Sequence, residues 1–270
     1  MTGFEEKYTI TARYLTKPSK RRSGIPMSPD VRFVVAHDTG NKGSTASANV
    51  HYYATSCNQQ SASAHIFVDD KEIIECIPAL TAPPEKAWHV LYSVPTDNQM
   101  FGCNANDAAI GVEYCFGDNI DADEAYRKYI WVISHACFKY SLDPAKMIIG
   151  HFILDPKRKT DPVTGLAHSR RTYDQLLRDV VQEFNECTGK APVNGPKEVK
   201  SKHGKVMTTV RLNIRSSRPS MRALVAKVVP PGTELSFKGQ AEGDPINGNA
   251  LWYQDVDGNF FWSGGVKPVG

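Results

Sequence analysis

Val31-Arg32-Phe33-Val34-Val35-Ala36-His37-Asp38-Thr39-Gly40 is the stretch whose reading decides the fold. Residues 31–36 form a run that is apolar apart from Arg32, as expected of a central strand buried on both faces. The run closes on His37. A second short strand, Met147-Ile148-Ile149-Gly150, is followed at once by His151. In α/β folds, loops converge at the carboxyl ends of strands, and function gathers there. Two neutral imidazoles and one carboxylate make a three-ligand zinc site with an open fourth position. Asp161, in Lys159-Thr160-Asp161-Pro162, offers the carboxylate, and Asp155, four residues after His151, competes with it on spacing. This reading makes the chain a zinc hydrolase. The competing reading keeps both histidines as hydrogen-bonded core residues, since no local HExxH motif is present.

Outward from that strand, strand and helix signals interleave. Ser44 or Thr45 can cap a short helix through Val50 and Tyr53. Residues 64–68 and 72–77 flank Asp69-Asp70-Lys71 and predict a β-hairpin. Residues 109–114 predict another strand. Tyr126, Ile130, Ile133 and Cys137 recur at helical spacing, which predicts an amphipathic helix over 123–140. Thr172 and Gln175 form a capping box ahead of Leu176, Leu177, Val180, Val181 and Phe184. The pattern predicts an α/β domain over residues 1–187, a mixed central sheet flanked by helices. Residues 188–204 hold two prolines, three glycines and four lysines without apolar periodicity, and read as a linker. Residues 205–270 break into short apolar and aromatic segments split by Pro230-Pro231-Gly232, Asn247-Gly248-Asn249 and Asp257-Gly258. The last of these turns sits between Trp252 and Phe260 segments as a hairpin signal, so a small all-β barrel is expected.

A chain of 270 residues can hold one full core and a second small module. Residues 205–270 carry eight Lys/Arg against five Asp/Glu, and 188–204 carry four against one. Residues 1–187 therefore hold 20 against 23 of the totals of 32 and 29. A basic tail suits an anionic partner or simply solubility. The run Lys17-Pro18-Ser19-Lys20-Arg21-Arg22 is expected to be solvated, in a segment that wraps the surface. No basic-aromatic interleaving follows it, so nucleic acid is not expected as a partner. The six cysteines form no CxxC pair, and several lie in apolar runs, so buried reduced thiols are expected. No secretory signal and no apolar stretch of about 20 residues is visible, so cytoplasmic synthesis without a membrane span is expected.

A hydrolase of this kind needs a base and a cation for the developing oxyanion. Glu113 interrupts the apolar strand Ile110-Gly111-Val112-Glu113-Tyr114-Cys115-Phe116, where a charge is costly. It suits the base, although strand alternation also allows it to face outward. Lys159, two residues before Asp161, suits the cation. It also reads as one charge of the solvated run Lys157-Arg158-Lys159.

Five segments in order resemble the zinc-dependent N-acetylmuramoyl-L-alanine amidases of the type 2 class. They are Val34-Val35-Ala36-His37-Asp38-Thr39-Gly40, Ser63-Ala64-His65-Ile66-Phe67-Val68-Asp69, Ala87-Trp88-His89, Ile110-Gly111-Val112-Glu113, and Gly150-His151 through Lys159-Thr160-Asp161-Pro162. That class includes phage lysozymes and Bacillus phage endolysins, and peptidoglycan recognition proteins share its fold. The resemblance implies His37, His151 and Asp161 as zinc ligands, which favours Asp161 over Asp155. Some relatives carry a catalytic tyrosine where Ala64 stands, and others use a glutamate that matches Glu113. Lys159 matches the oxyanion-stabilising lysine. His65, Trp88 and His89 match positions expected to line the cleft and bind substrate, with packing as the alternative for the two histidines. The reaction implied is cleavage of the amide between N-acetylmuramic acid and L-alanine.

Residues 205–268 resemble bacterial SH3-type wall-binding domains through Val210-Arg211-Leu212-Asn213-Ile214-Arg215-Ser216 and Trp252-Tyr253 with the following turn. Exposed Trp and Tyr could stack on wall polymer there, or build the barrel core. The two resemblances imply a monomeric phage endolysin whose partner is Gram-positive peptidoglycan, with anionic wall polymers as a further partner. The alternatives are a host autolysin, a non-catalytic peptidoglycan-binding protein and a cytosolic muropeptide-recycling amidase.

Overall fold

The computed structural model describes residues 3–117, 119–189, 199–216, 218–221, 223 and 225–269. The chain divides into two compact units, Met1–Pro192 and Val193–Gly270. In chain order the first unit contains β1 (Ile10–Ala12), β2 (Phe33–Asp38), α1 (Ala46–Thr55), β3 (Ile66–Val68), β4 (Ile73–Glu75), α2 (Thr96–Phe101) and α3 (Ala105–Ala108). It continues with β5 (Ala109–Tyr114), α4 (Ala122–Lys139), β6 (Ile148–Gly150), α5 (His151–Leu154), α6 (Val163–His168) and α7 (Tyr173–Cys187). Its six strands form one mixed sheet in the order β1-β4-β3-β5-β2-β6.

β2 pairs in parallel with β5 on one side and β6 on the other, and all six of its residues are buried. The apolar run predicts this, although the strand starts two residues later and takes in His37 and Asp38. β3 and β4 form the expected antiparallel hairpin, and β3 runs parallel to β5. Register then sets the site. His37 lies opposite Glu113, which lies opposite Phe67. Residues at one level of neighbouring strands share a face. Ala36 lies opposite Gly150, so His151 follows at the level of His37. Beneath this row, Phe33, Val35, Ala109, Ile149 and Leu154 pack together. The even residues of β2 turn the other way, into a larger core with Tyr129, Val132, Ile133 and Val180 from α4 and α7.

The three long helices start at side-chain caps, of which those at Thr45 and Thr172 are the expected ones. The Thr45 hydroxyl accepts from Ala48 N–H, the Asp121 carboxylate from Asp123 and Glu124 N–H, and the Thr172 hydroxyl from Gln175 N–H. Each such cap stabilises its helix by about 1 kcal/mol.

The N-terminal segment departs from expectation. β1 extends the sheet by pairing with β4, and Arg21 and Arg22 are buried rather than solvated. Arg22 forms a two-point ion pair with Glu85 and donates to Leu15 O. Arg21 donates to Ser56 O, Ser56 Oγ and Ala62 O, with its guanidinium over the Tyr53 ring at 4.2 Å. A buried guanidinium is tolerated when its donors are satisfied in this way. All six cysteines are free thiols. Cys76, Cys115, Cys137 and Cys187 are buried, whereas Cys57 and Cys103 are only half-buried.

The second unit is an all-β sheet of seven strands: β7 (Lys200–Thr208), β8 (Leu212–Arg215), β9 (Val225–Val229), β10 (Glu234–Ile246), β11 (Asn249–Asp255), β12 (Phe260–Trp262) and β13 (Val266–Pro268). Their order is β13-β7-β10-β11-β12-β8-β9. The hairpin at Asp257-Gly258 joins β11 to β12 as expected. Both ends of the segment expected as a linker over 188–204 belong to regular elements. Thr188 caps α7, and 200–204 belong to β7, where a Cβ on Gly204 would lie 2.6 Å from the Phe237 ring. Residues 190–198 of that segment lie outside the described residues. Trp252 and Phe261 are buried, and Trp252 Nε1–H donates to Asp244 O, so they build the core and do not offer a stacking surface.

Candidate metal centre and active site

His37 stands one residue from the end of β2, and His151 opens α5 directly after β6. Parallel pairing of these two strands brings the imidazoles to 4.6 Å between ring centroids. Tyr129 on α4 donates its hydroxyl to His37 O at 2.9 Å and so holds the strand end from the opposite face. The loop after α5 returns Asp161, whose carbonyl accepts from Phe152 N–H. Asp161 Oδ2 lies 2.9 Å from His37 Nδ1 and 3.0 Å from His151 Nδ1. One ligand atom from each of the three residues lies within 4.8 Å of the others, close enough to share one ion. Asp155 does not join them; its carboxylate accepts from Arg158 Nε at 2.7 Å.

The donor set suits a divalent cation. Burial lowers the His37 pKa to about 4, so its ring is neutral near pH 7. A neutral ring keeps one nitrogen lone pair for a metal. Two imidazole nitrogens around one carboxylate oxygen match the ligand chemistry of catalytic zinc sites.

These three residues line a cavity of about 470 Å³ together with Glu113, Lys159 and Trp88. Glu113 does not face outward. Its Oε2 is buried without a hydrogen-bond partner among the described residues. Burial, then the charges of Asp161 and Asp38, push its carboxyl well above the usual range, while Lys159 opposes them. Lys159 is half-buried on the cavity wall, whereas Lys157 is exposed. The charge run is therefore split by the fold: Arg158 and Lys159 line the cavity and Lys157 does not.

His65 and His89 are placed differently. His65 does not line the cavity: its Nε2–H donates to Glu85 O and its Nδ1 accepts from Gly111 N–H. His89 reaches the cavity wall but is 8 % exposed, and both its ring nitrogens are engaged within the protein. Burial, then the neighbouring imidazoles of His37, His65 and His151, hold its pKa well below the ordinary value. Neither ring has a nitrogen left for substrate. Trp88, half-buried, does line the cavity.

Tyr53 is a cavity residue that sequence reasoning missed as a site residue. Its ring packs edge-on to Phe67, the register neighbour of Glu113, and rests on the Arg21 guanidinium. The helical spacing of Ala46, Val50 and Tyr53 was the available signal, and it indicates a buried face without showing what that face meets.

A sequence profile described as N-acetylmuramoyl-L-alanine amidase matches residues 27–164, a span that includes His37, Glu113, His151, Lys159 and Asp161. The chain is 30% identical over 202 residues to the N-acetylmuramoyl-L-alanine amidase BlyA of Bacillus subtilis, covering 73% of this chain and 52% of that protein. It is 24% identical over 249 residues to the N-acetylmuramoyl-L-alanine amidase CwlL of Bacillus licheniformis, covering 89% of this chain and 62% of that protein. The chain thus spans about half to three fifths of the length of these relatives. The solved catalytic domain of XlyA shares the fold at a TM-score of 0.51 and 23% identity, with 64% of this chain matched to 99% of that one. With its profile match covering just over half of its length, the chain belongs to the N-acetylmuramoyl-L-alanine amidase family.

Proposed function

We propose that this protein is a zinc-dependent peptidoglycan hydrolase that cleaves the amide joining N-acetylmuramic acid to the L-alanine of the stem peptide. The observation that carries this reading is the meeting of His37, His151 and Asp161 in one cavity with Glu113, whose Oε2 is buried without a hydrogen-bond partner among the described residues. His37, His151 and Asp161 would hold the zinc. When bound, the ion supplies Lewis acidity toward the scissile carbonyl and lowers the pKa of water. Glu113 takes the proton of the attacking water and delivers it to the departing L-alanine nitrogen. Its raised affinity for protons suits both halves of that transfer. The Lys159 ammonium faces the charge that develops on the carbonyl oxygen. Trp88 offers an apolar surface against which a sugar or peptide can lie.

The all-β unit is proposed as an SH3-like wall-binding module. Its basic balance supports contact with anionic wall polymers, and tethering raises the local enzyme concentration at a polymeric substrate. We place the protein as an endolysin acting as a monomer on Gram-positive walls after synthesis in the cytoplasm. Among the described residues no helix is long and apolar enough to cross a membrane.

The test is to incubate purified protein with isolated Gram-positive walls, with and without a chelator. New L-alanine amino termini without new reducing sugar ends are expected, and they should disappear with chelator. Wall binding without new termini would overturn the catalytic reading in favour of a recognition protein. Chelator-insensitive release would overturn the zinc reading.

A further inference from the structure

We infer that His89 is a positioning residue that fixes the tautomer of His37, so that His37 Nδ1 presents its lone pair to the metal. This inference rests on the metal-site reading above. His89 Nε2 lies 3.1 Å from Ala105 O and 3.2 Å from Ala109 O. Carbonyl oxygens only accept, so Nε2 must carry the proton. The Nδ1 of a neutral His89 is then an acceptor. It lies 3.0 Å from His37 Nε2, which must donate to it. A neutral His37 protonated at Nε2 keeps Nδ1 bare, and Nδ1 is the atom that faces Asp161 Oδ2. Two backbone carbonyls therefore dictate, through one imidazole, which nitrogen of the next is available to a cation. Outer partners of this kind orient metal-binding histidines and set their basicity.

The placement of His89 is itself over-determined. Its backbone N–H donates to Asn106 Oδ1 at 2.8 Å, and the Asn106 amide donates to Val90 O. The ring lies flat against β5 at Gly111, where a Cβ would come within 2.9 Å of His89 Cγ and Nδ1. His65 packs edge-on to it, its ring centroid 5.6 Å from that of His89. The same Gly111 N–H that holds His65 Nδ1 thus belongs to the one residue without a side chain that the His89 ring can approach so closely.

Two measurements test this. In the metal-free protein, side-chain 15N NMR of His37 should report a neutral ring protonated at Nε2. A proton on Nδ1 there would overturn the proposal without reference to any metal. The second is the zinc dissociation constant, measured by competition with a chromophoric chelator. His89→Phe fills the space but accepts no hydrogen bond, and should weaken zinc by about 10–100-fold. His89→Asn places an amide oxygen near the position of Nδ1 and should recover most of that loss. Gly111→Ala displaces the ring and should weaken zinc in the same direction. Zinc bound to His89→Phe as tightly as to the unmodified protein would refute the role. If the unmodified protein binds no zinc at all, the metal reading fails, and the His37 spectrum still decides the tautomer.

Discussion

Replacing Glu113 by Gln separates chemistry from stability in opposite directions. The side chain keeps its shape, but it can no longer take a proton from water. Loss of a positioned general base costs about 10²–10⁴-fold in turnover, equivalent to roughly 3–5 kcal/mol of transition-state stabilisation. Stability should move the other way. Among the described residues Glu113 Oε2 is buried without a partner, and burial and nearby carboxylates raise its pKa well above 4.5. A carboxyl whose folded pKa is raised contributes stability fully below its unfolded pKa and loses that contribution as pH rises through the folded pKa. At pH 7 the wild-type group therefore weakens the fold, and Gln removes the charge while leaving a neutral polar group. An unsatisfied buried polar group costs about 1–3 kcal/mol, more when charged. The variant should then gain on the order of 1 kcal/mol at pH 7, which is roughly 2–4 °C in Tm for a domain of this size. The gain should vanish below pH 4.5. The assay pairs wall hydrolysis with thermal melts of chelated protein across pH, and with zinc content. Near-native turnover would remove Glu113 from the chemistry. Equal loss of activity, stability and metal would show that its role is only structural.

His151→Ala and Asp161→Asn should each lower zinc content and wall hydrolysis together, and unchanged metal stoichiometry in either would reject that residue as a ligand. Lys159→Met should retain zinc yet lose about 10²–10³-fold in kcat, and a change confined to KM would assign it to substrate binding. Arg22→Met leaves Glu85 buried with the half-exposed Lys17 as its one cationic partner among the described residues, and should cost about 3–5 kcal/mol in denaturant unfolding. Burial alone would raise the Glu85 pKa, but its bonds with Arg22 and Lys17 outweigh burial and lower it. That contribution is present above the unfolded pKa and fades as pH falls through the folded one, so the difference between variant and parent should narrow in acid. A constant difference down to pH 3 would contradict the ion-pair account.

Local pattern carries the elements that are long or wholly buried. β2 and β5 read as strands because a strand covered on both faces must be apolar throughout. α4 and α7 read as helices because one face repeats every three or four residues, and for α7 a Thr cap precedes it. β1, α2, α3, α5 and α6 span three to six residues, too few to express a period. The run at 17–22 misled because charge in a sequence indicates cost, and partners decide whether that cost is met. Glu85 and the Ala62 carbonyl, far off in sequence, meet it here together with the nearby Leu15 carbonyl.

Read alone, the residues located the two histidines at strand ends, the anionic candidates after them and an acid inside an apolar strand, because each is a local violation of an apolar pattern. Only the folded chain separated Asp161 from Asp155 by geometry, turned Lys159 inward, brought Tyr53 to the wall and closed both ring nitrogens of His65 and His89 to substrate. Those outcomes depend on strand register and on carbonyls 16 to 20 residues away. Hydrogen bonding over such separations leaves no periodic trace along the chain.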